Sequence, residues 1–227
     1  MSGVQFAELV SRARELNRAG DYPAAERLAR EALALGETLW PPNEPQLLEA
    51  IWVLETALIA GKYETVGDEC LELARRVVTI SEAGYGPADL RTADALDGLA
   101  LSLALRREFD EALSIRRRSL SIYELSGEPS HVDEMRAKLG SLLLDMGQYD
   151  EAIRMLTLAA EGHAANGHAV MSLLAHRNLG MALLKADRTS EARPHLEIAL
   201  QIALSQPALS EGPLVNGLKE LIASTAH

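Results

Sequence analysis

Apolar residues recur along the chain with the periodicity of helices that pack in pairs. Leu139, Leu142 and Leu143 mark one face of a stretch that ends at Gly147, and a second apolar face begins at Ile153 after a short polar turn. Spacings of three and four between apolar residues are typical of amphipathic helices. The pattern therefore predicts an all-α chain of helix-turn-helix units, without strands.

A short motif returns five times, usually as an aromatic residue followed by polar or small residues and then Ala or Val. The copies lie at 21–25, 62–66, 108–112, 148–152 and 188–192, so their last residues are about 41, 46, 40 and 40 positions apart. Self-similarity at such a period indicates a stacked-repeat protein. We expect one domain over 1–227, with repeats at about 5–42, 46–85, 88–128, 131–167 and 169–206. The longest spacing places extra residues at 84–89, as a longer second helix or a protruding loop.

The sequence also predicts the turn between the two helices of each repeat. Gly20, Gly61 and Gly147 stand where a first helix should end in the left-handed conformation, which glycine adopts without steric cost. Arg107 and Asp187 occupy that place in the third and fifth copies. We expect those two turns to be the more strained.

Small residues near the middle of the first helices are expected to face the residue that opens the second helix. Small side chains on both helices let the two backbones approach closely. The second pair is bulky, which predicts a splayed second hairpin. The expected pairs are Ala13 with Ala25, Leu54 with Val66, Ala100 with Ala112, Gly140 with Ala152, and Gly180 with Ala192.

The segments 138–152 and 178–192 closely resemble tetratricopeptide repeats, and the resemblance extends from about Gln5 to about Leu204. The period exceeds the usual 34 residues of that family and is similar to the long repeat of kinesin light chains and their bacterial relatives. The resemblance implies a right-handed α-solenoid of five helix-turn-helix repeats. A last amphipathic segment at about 212–225 is predicted to be a C-terminal capping helix.

A solenoid of this kind is expected to bind a peptide or protein partner along a concave wall formed by its first helices. Some family members hold a C-terminal carboxylate with Lys and Asn from three successive repeats, but only Lys138 and Asn178 match that set here. Val10, Ile51, Ile59, Asp94, Asp97 and Leu105 are also assigned to the wall. The candidate partner-binding residues are Arg14, Asn17, Arg18, Trp52, Glu55, Leu101, Lys138, Ser141, Asp145, Arg177, Asn178, Met181 and Lys185.

Several alternatives stay open for this wall. Trp52 is either an aromatic anchor for a partner or a core residue between repeats. Arg14 and Arg18, together with Arg177 and Lys185, either receive an acidic segment or form an ordinary solvated face. The bound peptide could be extended or helical.

The charge balance narrows the classes of partner. The chain has 33 acidic and 22 basic residues, a formal charge of −11, which disfavours binding to nucleic acid or to an anionic membrane surface. No apolar run has the length of a membrane span or a secretion signal. The single cysteine, Cys70, fits a reducing compartment. We expect a cytoplasmic protein.

No catalytic or metal-binding constellation is visible, and no cofactor is expected. His163, His168, His176 and His195 lie within about thirty residues but lack the i, i+4 pairing of a helical zinc site. His163 and His168 flank a turn and should be exposed. Cys70 reads as a buried structural thiol.

The sequence thus favours a non-catalytic interaction scaffold. A regulatory sensor that responds to a peptide or ligand, and more remotely an enzyme that uses the groove as its pocket, are the alternatives. Leu9, Val10 and Leu16 would lie near an open N-terminal face, which predicts self-association there. Trp40 is expected to fill the gap between the first two hairpins, or else to be an exposed anchor.

Overall fold

The computed structural model describes residues 3–61, 67–127 and 129–225 of the chain. Those residues form α-helices and one short 3-10 helix, Pro45–Leu47, without strands, as the sequence predicts. The α-helices are α1 (Gly3–Ala19), α2 (Tyr22–Leu39), α3 (Leu48–Gly61), α4 (Asp68–Tyr85), α5 (Leu90–Leu105), α6 (Phe109–Ser126), α7 (Pro129–Asp145), α8 (Tyr149–Ala165), α9 (Ala169–Lys185), α10 (Thr189–Ser205) and α11 (Pro213–Ser224).

The chain divides into two compact units, Met1–Ile122 and Tyr123–His227. In the first unit α1 packs on α2 and α3 on α4, while Ser119 of α6 donates a hydrogen bond of 2.9 Å to the carbonyl of Ala93 in α5. In the second unit α7 packs on α8 and α9 on α10. Helix α11 then buries Val215 and Leu218 against α10, in the place where a capping helix is predicted. The predicted single domain over 1–227 stays a prediction.

The left-handed turns agree with the sequence in four of five repeats. Gly20 and Gly147 have φ values of 80° and 74°, and Arg107 and Asp187 have values of 64° and 58°. The two non-glycine residues therefore carry the strain that the sequence predicts. The prediction for Gly61 is wrong, because this residue ends α3 without a left-handed φ. Residues 62–66 lie outside the described part of the chain.

The predicted helix crossings are confirmed in the second unit. A Cβ built on Gly140 would lie 2.6 Å from Cγ of Leu156 and 3.3 Å from the carbonyl oxygen of Ala152. A Cβ on Gly180 would similarly lie 2.5 Å from the side chain of Leu196. Only a residue without a side chain fits at these two crossings.

The second hairpin departs from the predicted register. The motif at 62–66, including the expected crossing residue Val66, lies outside the described residues. The structure instead gives its role to Cys70 of α4. Positions 4, 7, 8 and 11 after Cys70 are buried, as they are after Ala152 of α8; these residues are Ala74, Val77, Val78 and Ser81 in α4 and Leu156, Ala159, Ala160 and His163 in α8.

The extra residues of the longest repeat also lie elsewhere than predicted. Helix α4 has 18 residues, as do α2 and α6, and only residues 86–89 separate α4 from α5. The insertion expected at 84–89 is therefore wrong. The additional residues lie between Gly61 and Asp68.

The residue that stands at the crossing of the second hairpin is Glu55, and not Leu54. Helix α3 repeats the burial pattern of α7 at an offset of 85 residues, so that Glu55 occupies the position of Gly140. Ala74 correspondingly occupies the position of Leu156, so this hairpin has its large side chain on the first helix. The matching buried residues are Leu47, Leu48, Ala50, Leu54, Ala57 and Leu58 in α3 and Val132, Asp133, Met135, Leu139, Leu142 and Leu143 in α7.

A ladder of ion pairs joins the second helices of the first unit along their exposed side. On α2 an arginine precedes a glutamate by seven residues, and on the facing helix α4 a glutamate precedes an arginine by seven. The same arrangement joins a second arginine and glutamate of α4 to a glutamate and arginine of α6. Each pair is exposed enough to be worth at most about 1 kcal/mol. The four pairs are Arg30–Glu69 (2.5 Å), Glu37–Arg76 (2.6 Å), Arg75–Glu111 (2.8 Å) and Glu82–Arg118 (2.6 Å).

At the N-terminal end, two of the three apolar residues assigned to an open face are covered. Leu9 and Val10 are buried, and Leu16 is half-buried. Trp40 packs edge-on against Phe6 of α1, with ring centroids 4.9 Å apart, so it closes the first hairpin itself. The expected N-terminal self-association thereby loses most of its apolar basis.

Candidate functional site

A recess of about 420 Å³ opens between α1 and α3 in the first unit. It contains four of the predicted partner-binding residues, Arg14, Asn17, Arg18 and Trp52. Helical spacing explains this grouping, because Arg14 and Arg18 lie one turn apart on α1 and Trp52 and Thr56 lie one turn apart on α3. The recess is lined by Arg14, Asn17, Arg18, Tyr22, Glu49, Trp52, Val53, Thr56 and Ala60.

Asn17 holds one wall of the recess in place and leaves an acceptor unused. Its Nδ2 donates a hydrogen bond of 2.9 Å to the carbonyl oxygen of Val53, which ties α1 to α3. Its Oδ1 is buried and receives no hydrogen bond from the described residues. A buried acceptor without a donor is costly, so Asn17 ties α1 to α3 at some cost in stability.

The recess combines positive charge with an exposed aromatic surface. Arg14 lies 3.6 Å from Glu49, a loose and exposed pair, and Arg18 is exposed one turn further along α1. The side chain of Trp52 is 40% exposed, although Ile51 and Val53 on either side of it are buried. The exposure of Trp52 favours the anchor interpretation over the core interpretation.

In the first two repeats, three residues assigned to the wall do not belong to it. Val10 and Ile51 are 1% and 0% exposed, because they face the core between helices. Glu55 stands at the crossing of α3 and α4. Sequence reasoning also missed Tyr22, Glu49 and Thr56; Thr56 was within reach, since it follows Trp52 by four residues on one helix face.

Burial raises the pKa of Glu55 to about 7, and no charged side chain among the described residues contributes to the shift. The same surroundings raise the pKa of the Cys70 thiol to about 11, first through burial and then through the carboxyl of Glu55. Cys70 is 2% exposed, so the thiol is protonated and inaccessible at neutral pH. Its predicted role as a structural thiol fits this environment.

The third repeat contributes a different surface to the first unit. Leu101 and Leu105 are exposed on α5, as the wall assignment requires. Asp97 is half-buried and lies 3.2 Å from the buried guanidinium of Arg116. Asp97 therefore serves the packing of α5 on α6 and is not available as a partner-binding residue.

In the second unit the structure pairs two of the predicted residues directly. Asn178 of α9 donates a hydrogen bond of 2.9 Å from Nδ2 to Oγ of Ser141 in α7. Lys138 lies 2.8 Å from Glu134 on its own helix. Asp145 and Lys185 are exposed at the ends of α7 and α9.

A second recess, of about 380 Å³, lies between α9 and α11 in this unit. It unites the predicted residues Arg177 and Met181 with side chains of the capping helix. Sequence reasoning treated that helix only as a cover and so missed its contribution. The lining residues are Arg177, Met181, Pro213, Leu214, Gly217, Glu220, Leu221 and Ser224.

Two of the four histidines singled out in the sequence, His176 and His195, form a hydrogen-bonded pair. Nδ1 of His176 and Nδ1 of His195 are 3.1 Å apart between α9 and α10. Burial, followed by the neighbouring His195, lowers the pKa of His176 to about 4. Across the described residues, no three His, Cys, Asp or Glu side chains are grouped to hold a metal ion.

His163 contradicts the expectation of an exposed turn residue. It is 2% exposed, and its burial lowers its pKa. The adjacent Gly162 leaves room for the carboxylate of Asp133, which would collide with a Cβ there. His168, on the other side of the turn, is exposed as expected.

None of the described helices has the length and apolarity to cross a membrane.

Comparison with known proteins gives the family. Residues 92–132 and 131–205 match two models of the tetratricopeptide repeat, which together cover half of the chain. Protein KINESIN LIGHT CHAIN-RELATED 3 of Arabidopsis thaliana is 29% identical over 117 residues, 51% of this chain but only 18% of that protein.

Solved structures share the fold at low identity. Nearly identical TPR-like repeats of a Podosopora anserina kinesin light chain-type protein superpose with a TM-score of 0.78 at 18% identity, over 90% of this chain and 98% of that one. BtubC (BKLC) from P. vanneervenii gives a TM-score of 0.74 at 18% identity, over 93% and 94% of the two chains. The chain belongs to the tetratricopeptide repeat family, and it has the all-α solenoid fold that the sequence predicts.

Proposed function

We propose that the protein is a non-catalytic scaffold that binds a peptide or protein partner, and that the α1–α3 recess holds a segment of that partner. The observation that carries this proposal is the exposed indole of Trp52 beside the cations of Arg14 and Arg18. Tetratricopeptide repeats are used for protein–protein interaction, and the likenesses to kinesin light chain-type repeats support that class of function.

The chemistry of the recess favours an acidic segment with an apolar side chain. Trp52 offers a large aromatic surface, which commonly dominates interface energies. The guanidinium groups of Arg14 and Arg18 can pair with carboxylates in a fixed geometry.

The second unit supplies a separate candidate contact. Met181, Leu214 and Leu221 give the α9–α11 recess an apolar floor, and Arg177 provides a cation at its side. A partner that bound both recesses would gain avidity. A continuous concave wall, with an extended or helical peptide along it, stays a prediction.

The absence of catalysis is part of the same proposal. The one thiol of the chain is protonated and buried, so it does not serve as a nucleophile. A cytoplasmic location fits this reduced cysteine and the acidic composition, which also opposes binding to nucleic acid or an anionic membrane. Self-association through α1 would have to use Val4, which is exposed, in place of Leu9 and Val10.

The proposal is tested by capture of partners from the native lysate with the parent chain and matched variants. Trp52→Ala and Arg18→Glu should each weaken the captured partner's binding about tenfold or more. Arg27→Glu, an equal charge reversal on the exposed side of α2, is the control and should leave binding unchanged.

Two results would overturn the proposal. If the recess variants bind the partner as well as the parent does, the recess is not the site. If the parent turns over a substrate, the protein is not a plain scaffold. Arg177→Ala, measured in parallel, reports separately on the second recess.

A further inference from the structure

Glu55 is the unusual residue among the helix crossings of this chain. The other hairpins place Ala13, Ala100, Gly140 or Gly180 at this position, and all four are buried. Glu55 is half-buried, and the smaller Ala74 stands where the fourth and fifth hairpins carry a leucine. A carboxyl group thus fills the space between α3 and α4 that a leucine fills elsewhere.

The surroundings of this carboxyl group are uncharged in the described part of the chain. From α4 the thiol of Cys70 faces it, and from α5 the hydroxyl of Ser102 bonds to that thiol. The carboxylate of Glu69 also contributes to the raised pKa of Cys70, but it is paired with Arg30. Toward α1, Arg14 is engaged with Glu49. Neither α2 nor the 3-10 helix brings a described charge to Glu55.

An ionised carboxylate is poorly tolerated in such a place. Burial of a charge without a counter-ion or sufficient hydrogen bonds costs several kcal/mol, and the protein relieves that cost by protonation or by letting water in. Because Glu55 is only half-buried, part of it already meets water, and full hydration of its carboxylate requires α3 to move away from α4. Because Trp52 precedes Glu55 by three residues on the same helix, that movement would displace the indole in the α1–α3 recess.

We propose that the α3–α4 crossing is a pH-responsive joint. With Glu55 protonated, α3 closes on Cys70; with Glu55 ionised, α3 shifts to bring the carboxylate to water and reshapes the recess around Trp52. The raised pKa of this carboxyl places the change close to neutral pH. Residues 1–122 contain no histidine, so no imidazole competes with Glu55 in this unit.

The joint is tested by the fluorescence of Trp52 in a Trp40→Phe background, which leaves one indole in the chain. Emission and acrylamide quenching are followed from about pH 5.5 to about pH 8.5 in the free protein. The parent should show a single transition near pH 7. Glu55→Gln should remove it, and Glu72→Gln, which replaces an exposed carboxyl on α4 outside the recess, should leave it in place.

A flat profile in the parent, or a transition that persists in Glu55→Gln, would overturn the joint. Circular dichroism of each variant at both pH extremes shows whether it is folded; should Glu55→Gln be unfolded, Glu55→Met supplies the uncharged side chain.

The effect of the joint on binding rests on the proposed function, and a second measurement separates the two. Affinity for the captured partner is compared at about pH 6 and about pH 8 in the parent and in Glu55→Gln. The parent should differ between the two pH values and the variant should not. If Trp52 fluorescence shows the pH transition but no partner is captured, the scaffold is refuted and the joint is not. If a partner is captured but the fluorescence shows no transition, only the joint is refuted.

Discussion

Gly140 lies directly beneath the side chain of Leu156, so close that a Cβ on the glycine would come within 2.6 Å of Cγ of the leucine. The α7–α8 crossing therefore has no room for even one additional methyl group. The position is defined by close packing of side chain against backbone and not by any need for glycine's flexibility.

Gly140→Ala should destabilise the protein by about 1–3 kcal/mol, and Gly140→Leu by more, because overpacking forces the helices apart. Gly98→Ala is the control. Gly98 lies in α5 with open space around it, so alanine there should stabilise by about 0.5–1 kcal/mol through helix propensity. Urea unfolding of the parent and the three variants checks the prediction. Changes in stability of the same sign at Gly140 and at Gly98 would contradict it.

Asp187→Gly should stabilise the α9–α10 turn by about 1 kcal/mol, because Asp187 has a φ of 58° and glycine adopts that conformation without strain. Arg107→Gly should stabilise the protein by a smaller amount. The guanidinium of Arg107 lies 5.5 Å from the ring of Phe109, an attraction that the substitution removes. Gly147→Ala, at a φ of 74°, should be destabilising. Thermal unfolding would refute this ranking if Asp187→Gly lowered the Tm.

Glu55→Gln should stabilise the protein at pH 8 and change little at pH 4.5. The folded pKa of Glu55 is raised from 4.5 to about 7, so its contribution is fully favourable below pH 4.5 and is lost as the pH rises through 7. Each pKa unit corresponds to 1.36 kcal/mol, which gives a gain of about 3 kcal/mol above pH 8. Urea midpoints measured across this range, with Glu49→Gln in parallel, check the sign.

The double variant His176→Leu, His195→Leu should flatten part of the acid dependence of stability. The pKa of His176 is lowered from 6.5 to about 4, so an unfolded chain takes up a proton before the folded one does. Stability is therefore lost as the pH falls from 6.5 toward 4. Buried His163, whose pKa is also lowered by burial, should retain some of this dependence. An unaltered acid profile in the double variant would count against the buried pair.

Much of the fold follows from residues that repeat faithfully. The fourth and fifth repeats place glycine, leucine and alanine at the same positions, so their crossings and turns could be predicted individually. Arg107 and Asp187 could also be recognised as strained, since they stand where the other turns have glycine. These inferences need only local spacing, which the sequence shows directly.

The second hairpin could not be predicted in this way. The sequence motif at 62–66 predicts a helix start there, whereas α4 is described from Asp68 and Cys70 occupies the position of the usual alanine. A glutamate at a crossing contradicts the expectation that such positions are small and apolar, so the sequence pattern places Glu55 on the concave wall instead. The α9–α11 recess depends on how the capping helix docks, which no local pattern encodes.

The reciprocal order of arginine and glutamate on the second helices of the first unit also determines their alignment along the stack. A displacement of α4 by seven residues against α2 would be almost two full helical turns, and it would keep the same apolar face inward. Burial alone would tolerate that slippage. In one direction, however, Arg30 would come to face Arg76, and in the other Glu37 would face Glu69. The exposed charges, weak as individual bonds, thus distinguish the native alignment from the two shifted ones that hydrophobic packing cannot reject.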